Sequence, residues 1–146
     1  MGGVREATST DVPDLVRLGQ MALRADPAPK ARISTQKLQD LARACVGDTN
    51  NYSWVSEIDG EVVAGLCALV HEQLVYERKQ ASVVQFYTTR PGEGIKLIRH
   101  FLKWARAQRK IKCIVFSIET NADPRIQVLL RRLGMKYSVP MCVEWK

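Results

Sequence analysis

The sequence predicts a single α/β domain in which helices pack on a mixed sheet. Three observations carry this. Two β-rich stretches, Tyr52 to Ile58 and Val62 to His71, flank an Asp59-Gly60 dipeptide, a strong hairpin signal. A strand, helix, strand run follows between Ala81 and Ile118, which demands a crossover and therefore a parallel pair in the same sheet. The 146 residues fit one domain, with no repeat and no linker.

Val4 to Ala7 opens the chain as a short strand. Ser9-Thr10-Asp11 offers helix caps, and Pro13 sits where a first turn tolerates proline. Val12, Leu15, Val16, Ala22 and Leu23 keep a helical period until Asp26-Pro27-Ala28-Pro29 breaks it. A second helix starts near Ser34-Thr35, with Leu38, Leu41, Ala42 and Cys45 on one apolar face, and ends in the polar run from Gly47 to Asn51. In the hairpin that follows, Val62, Ala64, Leu66, Ala68 and Val70 share one side of the strand. Val63, Cys67 and Leu69 share the other, so this strand is apolar on both sides and central. His71 to Gln80 reads as a polar connection and Ala81 to Thr88 as the next strand. Leu97, Ile98, Phe101, Leu102, Trp104 and Ala105 then form the wide stripe of a third helix, with Lys96, Arg99, Lys103, Arg106 and Arg109 over the rest of its surface. Cys113 to Ile118 is a short apolar strand. Asn121-Ala122-Asp123-Pro124 opens a fourth helix, with Ile126, Leu129, Leu130 and Leu133 on one face and Gly134 as its natural C′ residue. Two strands, near Met135 to Ser138 and Met141 to Trp145, are expected to close the chain.

Composition narrows the classes. Charged residues make up 25% and apolar ones 46%, ordinary for a soluble domain, and no stretch approaches the ~20 apolar residues of a membrane span. The N-terminal residues show neither the apolar run of a signal peptide nor a myristoylation signal, so a cytoplasmic protein is expected. Cys45, Cys67, Cys113 and Cys142 are widely spaced, with no Cys-x-x-Cys pair, and read as reduced thiols that bind no metal. The net charge of +7, from 22 basic and 15 acidic residues, suits an anionic ligand: nucleic acid or a phosphorylated cofactor.

The stretch Arg90-Pro91-Gly92-Glu93-Gly94-Ile95-Lys96 joins the fourth strand to the third helix. Glycines let a phosphate approach the main chain, and a helix N-terminus adds N–H donors and partial positive charge. An ordinary strand-to-helix turn fits the same residues.

The order of elements, with a glycine turn after the fourth strand, resembles the GNAT superfamily of acyl-CoA-dependent N-acetyltransferases over nearly the whole chain. Val4-Arg5-Glu6-Ala7-Thr8 with Asp11 is similar to that family's first strand and helix start. Glu57 to Gly65 is similar to its second hairpin, and Leu130-Arg131-Arg132-Leu133-Gly134-Met135-Lys136 to the end of its last helix. The resemblance implies a mixed, mostly antiparallel central sheet flanked by about four helices, in one domain over residues 1–146. It also implies acetyl-CoA as cofactor and an amine, small molecule or protein, as acceptor, in a monomer or homodimer.

The family signature is Gln/Arg-x-x-Gly-x-Gly/Ala. Aligned on Gly94, it puts Pro91 at the Gln/Arg position and Lys96 at the final Gly/Ala position, with Arg90 compensating one residue early. The resemblance implies that Arg90, Gly92, Glu93, Gly94, Ile95 and Lys96 hold the pyrophosphate. Glu93 then has to point away from it. By the same resemblance, Gln85, Phe86, Tyr87 and Thr88 present an edge that pairs with pantetheine, and Asn121 touches the cofactor arm. Among candidate bases, Glu72, Glu77 and Glu119, Glu72 is preferred because it follows the central strand and is expected near the cleft mouth; His71 is the alternative. The family's acidic tyrosine falls on Leu130, which leaves Tyr137 as substitute or as a packed strand residue. Trp54, Trp104 and Trp145 read as core or interface aromatics. Two other readings stay open. One is a GNAT-like binding or assembly domain with degraded chemistry, since the turn and the Trp-Ala-Arg helix are also similar to small phage-encoded members, some associated with particles. The other is a basic nucleic-acid-binding module on the third and fourth helices, which no helix-turn-helix, RNA-recognition or zinc-finger motif supports.

Overall fold

The computed structural model describes residues 2–25, 32–117, 124–136 and 144. A five-stranded sheet runs in the order β1 (Gly3–Glu6), β2 (Tyr52–Ile58), β3 (Glu61–Glu72), β4 (Lys79–Thr88), β5 (Ile111–Phe116). The first three pairings are antiparallel, and β4 and β5 are parallel. The crossover between them is α3 (Pro91–Ala107). Helices α1 (Val12–Ala25) and α2 (Thr35–Val46) cover one face of the sheet. Helices α3 and α4 (Pro124–Arg132) cover the other.

Local chemistry sets the elements. Asp59 (φ 51°) and Gly60 (φ 81°) both take the left-handed conformation that a two-residue hairpin requires. The Ser34 side chain accepts from the Lys37 N–H at 3.2 Å and caps α2. Asp11 accepts from the Thr8 N–H and takes a two-pronged contact from Arg5 at 2.8 and 2.9 Å, and Arg5 also reaches Glu57. This ties β1, β2 and the turn before α1 together. Gly134 (φ 98°) ends α4 in a Schellman turn: its N–H bonds to Arg131 C=O and that of Met135 to Leu130 C=O.

β3 has buried side chains on both faces, as its two-sided apolar pattern predicts. Leu66, Ala64 and Ala68 meet Leu97, Ile98, Phe101 and Leu102 of α3. Val62 and Cys67 meet Leu15 and Leu18 of α1 and Cys45 of α2; Val62, expected on the side of Ala64, lies with Cys67 instead because the β2–β3 register shifts between Ser56 and Glu57. Each fully buried Leu or Phe contributes about 1.5–3 kcal/mol.

Three elements differ from the sequence expectation. The segment from His71 to Gln80 is not a plain polar connection. The β3–β4 ladder continues through His71↔Gln80 and Glu72↔Lys79, held by cross-strand contacts such as Gln73 to Gln80 at 3.0 Å. Only residues 73–78 form the tip, with Leu74, Val75 and Tyr76 exposed. β5 begins at Ile111, because its partner Lys79 lies in that extended ladder. Of the two closing strands, Met135 and Lys136 are not in a strand, and the rest lies outside the described residues.

Candidate functional site

The site forms where β4 outruns β5. From Lys79 to Val83, β4 pairs with β3 on one side and β5 on the other. At Val84 the β3 ladder shifts: Ala68 faces Val83 and Cys67 faces Gln85, so Val84 is an extra, bulged residue. Beyond it, Gln85 to Thr88 remain paired with β3, while among the described residues nothing pairs with their other edge.

The bulge also resets which side chains face which helix layer. Val83 and Phe86, three residues apart, both join the α3 side, and Tyr87 joins the α1 side. Phe86 meets Phe116 edge-on at 5.7 Å, which lays an apolar floor where β4 and β5 part. Gln85 turns under α1. Its Nε2 donates to the Leu15 C=O at 2.6 Å beside Gly19, while its buried Oε1 has no hydrogen-bond partner among the described residues.

The open edge leads into the start of α3. Thr88 Oγ1 accepts from the Arg90 N–H at 3.1 Å, closing the turn. Arg90 is the N-cap, with Pro91 in the first turn, and both the Glu93 and Gly94 N–H groups donate to Arg90 C=O. Gly92 therefore carries the first-turn N–H with no acceptor among the described residues.

The two glycines have different duties. A Cβ on Gly92 would meet nothing within 4 Å. A Cβ on Gly94 would lie 2.7 Å from Thr88 Cγ2 and 3.0 Å from Phe86 Cζ, so Gly94 lets α3 close on β4. A side chain at Gly94 would therefore meet β4, whereas one at Gly92 would enter open space. Glu93 turns inward. Its Oε2 accepts from buried Ser56 Oγ and its Oε1 from Lys96 Nζ at 2.7 Å. Lys96, then Ser56, hold its carboxyl below the usual glutamate range. Ile95 and Lys96 lie on the exposed side of the first turns.

Glu72 is elsewhere. It stands opposite Lys79, five residue steps before the bulge at Val84, or about 17 Å along an extended strand. This corrects its expected position at the cleft mouth: the ladder extends past the predicted strand end and carries Glu72 out to the hairpin tip. His71, one position earlier, reaches back toward the bulge, with Nε2 2.9 Å from Ser82 Oγ. Leu130 is buried among the α3-side apolar residues, so the position aligned with the family tyrosine serves the core. Tyr137, Asn121 and Glu119 lie outside the described residues. His100 faces Tyr52, with Nδ1 2.8 Å from the phenol oxygen and the ring 4.0 Å from Trp54. Burial, then Lys103, lowers its pKa, and burial raises that of Tyr52. Trp54 and Trp104 belong to this same aromatic cluster, as expected of core residues. No sequence signal marked Gln85 as buried under α1 or Ser56 as the partner of Glu93, since both contacts join residues far apart in the chain.

No family model and no curated protein matches the sequence. Solved structures do match over its whole length. A predicted acetyltransferase from Clostridium acetobutylicum, solved with acetyl-CoA, superposes with a TM-score of 0.78 at 14% identity over 100% of this chain and 96% of its own. The chain has the GNAT acetyltransferase fold. An aminoglycoside acetyltransferase from an uncultured soil metagenomic sample, solved with sisomicin, gives 0.65 at 18% identity over 99% and 97%. A transcriptional regulator from Bacillus halodurans gives 0.73 at 19% over 100% of both chains. The GNAT fold therefore comes with more than one described role among these neighbours.

Proposed function

We propose that the chain is an acetyl-CoA-dependent N-acetyltransferase acting on an amine. The observation that carries this reading is the end of β4, which among the described residues is paired on one side only and runs into a helix start whose Gly92 N–H has no acceptor there and open space before it. An extended amide-bearing arm can pair with the free edge of Gln85 to Thr88, as an added strand does. Phe86 and Phe116 line its path, and Gly92 with Arg90 meets the phosphates. Glu93 does not oppose them, because its carboxylate is committed to Ser56 and Lys96. The acetyl-CoA-bound neighbour with the same fold supports this reading.

Acetyl-CoA supplies an activated acyl carbon as a thioester. In the transfer, the amine nitrogen bonds to that carbon, the carbon–sulfur bond breaks, the amine gives up a proton and the thiolate takes one. Holding the two reactants together supplies much of the rate, and a general base adds about 10²–10⁴-fold. We assign the base to His71, whose imidazole reaches Ser82, two residues before the bulge; Glu72 lies beyond it at the tip. Tyr137 is the remaining candidate for the acid. Isothermal calorimetry with acetyl-CoA and with free CoA tests the reading. Saturable heat is expected, followed by thiol release on an amine panel. No heat at millimolar ligand overturns it. Binding without turnover on any amine favours a binding or assembly role, which the buried Leu130 in the tyrosine position makes the second reading.

A further inference from the structure

The net charge of the chain lies in one half. Residues 1–93 hold 10 Lys and Arg against 12 Asp and Glu, whereas residues 94–146 hold 12 against 3. From Gly94 to Ile118 there are seven Lys and Arg and no carboxylate. The fold gathers much of this charge in one place. Arg106 Nη2 donates to Leu133 C=O at 2.5 Å, which seats the last turn of α3 against the end of α4. Arg106 and, just past α3, Arg109 and Lys110 thereby come to the same junction as Arg131, Arg132 and Lys136 at the end of α4, and all six are exposed.

The ordinary account of cations at a helix C-terminus is service to its free carbonyls. At α4 that service is already done by the main chain, since the Gly134 and Met135 N–H groups take the Arg131 and Leu130 carbonyls. Only Arg106 among the six spends its side chain on a carbonyl. None of the six has a carboxylate partner among the described residues. Six clustered like charges repel one another, and an anionic partner relieves that repulsion.

We propose that this ridge docks the phosphodiester backbone of a nucleic acid strand. Four of the six residues are arginines, whose planar forks match phosphate oxygens. Separate cations along an exposed ridge suit a chain of phosphates better than one small anion. The ridge stands at the far end of the 17-residue α3 from Gly92, about 25 Å away, so it is separate from the proposed acetyl-CoA site and does not depend on it.

Fluorescence anisotropy with a labelled 20-nucleotide strand tests this, in DNA, RNA and duplex form, across a salt series. Binding is expected near 10⁻⁶–10⁻⁴ M at physiological salt. With about four phosphates neutralised, log affinity against log salt should fall for single strands with a slope of about −3. Arg131→Glu with Arg132→Glu should weaken binding at least about tenfold, as should Arg109→Glu with Lys110→Glu, a second pair on a separate segment. Lys37→Glu with Arg43→Glu, exposed on α2 and equal in charge change, should cost less than about twofold. A preference for ribose or deoxyribose strands names the source of the backbone. No binding at 50 mM salt overturns the proposal, as do equal losses in the ridge and control pairs. Tighter binding to anionic phospholipid vesicles or to polyglutamate moves the ridge to another partner class, and displacement by saturating CoA assigns it to the cofactor instead.

Discussion

The two halves of β4 have opposite environments within one strand. Lys79 to Val83 is paired on both sides, and its Ala81 is wholly buried. Among the described residues, Gln85 to Thr88 is paired on one side and ends at a helix start whose Gly92 N–H has no acceptor. Between them stands one bulged residue, Val84, 38% exposed. The first half anchors the crossover of α3 to the sheet. The second has no partner on its other edge among the described residues, and the proposed acetyl-CoA site uses that edge. A bulge makes this division cheap: it bends the strand and increases its twist without disturbing the β3 ladder on either side.

The largest effect should come from charging the anchored half. Ala81→Glu buries an unpaired carboxylate among α3-side apolar residues, and a loss of several kcal/mol is expected in urea denaturation. Val84→Glu at the bulge should change stability by no more than about 0.5 kcal/mol. If both unfold the protein alike, the halves are not distinct.

Next comes the glycine pair at the end of the open half. Gly94→Val drives a side chain into Thr88 and Phe86 and should cost about 1–3 kcal/mol. Gly92→Val should leave the melting temperature within a few degrees yet weaken acetyl-CoA binding about tenfold or more, read by calorimetry. Wild-type affinity in Gly92→Val would remove the phosphates from this turn.

A smaller, pH-dependent effect is expected at Glu93. Its folded pKa lies below the unfolded value, so its stabilisation is complete above the ordinary glutamate range and fades as pH falls through the folded value. Protection factors against hydrogen exchange in the first turn of α3 should fall on acidification below the ordinary glutamate range. Glu93→Gln should flatten that dependence, and an unchanged profile would show that the Ser56–Glu93–Lys96 contacts do not hold the turn.

The smallest effect is expected at Glu72, next to the hairpin tip. Glu72→Gln should leave turnover within about twofold, while His71→Gln should lower kcat/KM by about 10²-fold. The reverse ranking would return the base to Glu72.

Much of the architecture was legible in the residues. Asp59-Gly60 announces the hairpin because few residues tolerate two successive left-handed conformations, and both adopt them. The two-sided apolar run of β3 places it centrally, since only a strand covered on both faces buries both sets of side chains. The Leu130 to Lys136 stretch announces the end of α4, because Gly134 alone there accepts the C′ conformation without strain. The glycine turn announces the junction of β4 and α3 by the same local logic.

What that turn does for each residue was settled only by tertiary structure. Gly94 is required by Thr88 and Phe86 across the helix–sheet contact, and Glu93 is directed inward by Ser56 on β2, 37 residues earlier. The bulge at Val84 leaves no local mark, because it arises from the mismatch between β4 and β3, and the open edge depends on where β5 stops pairing. Glu72 shows the same limit from the other side. Its residue type suits a base, but ladder hydrogen bonds extend β3 through a polar stretch and carry it to the tip. Periodicity, turn chemistry and caps are properties of neighbouring residues, so one chain read in order reveals them. Register, splay and the partner of a buried carboxylate are set between distant segments, whose relative placement follows from packing the whole core.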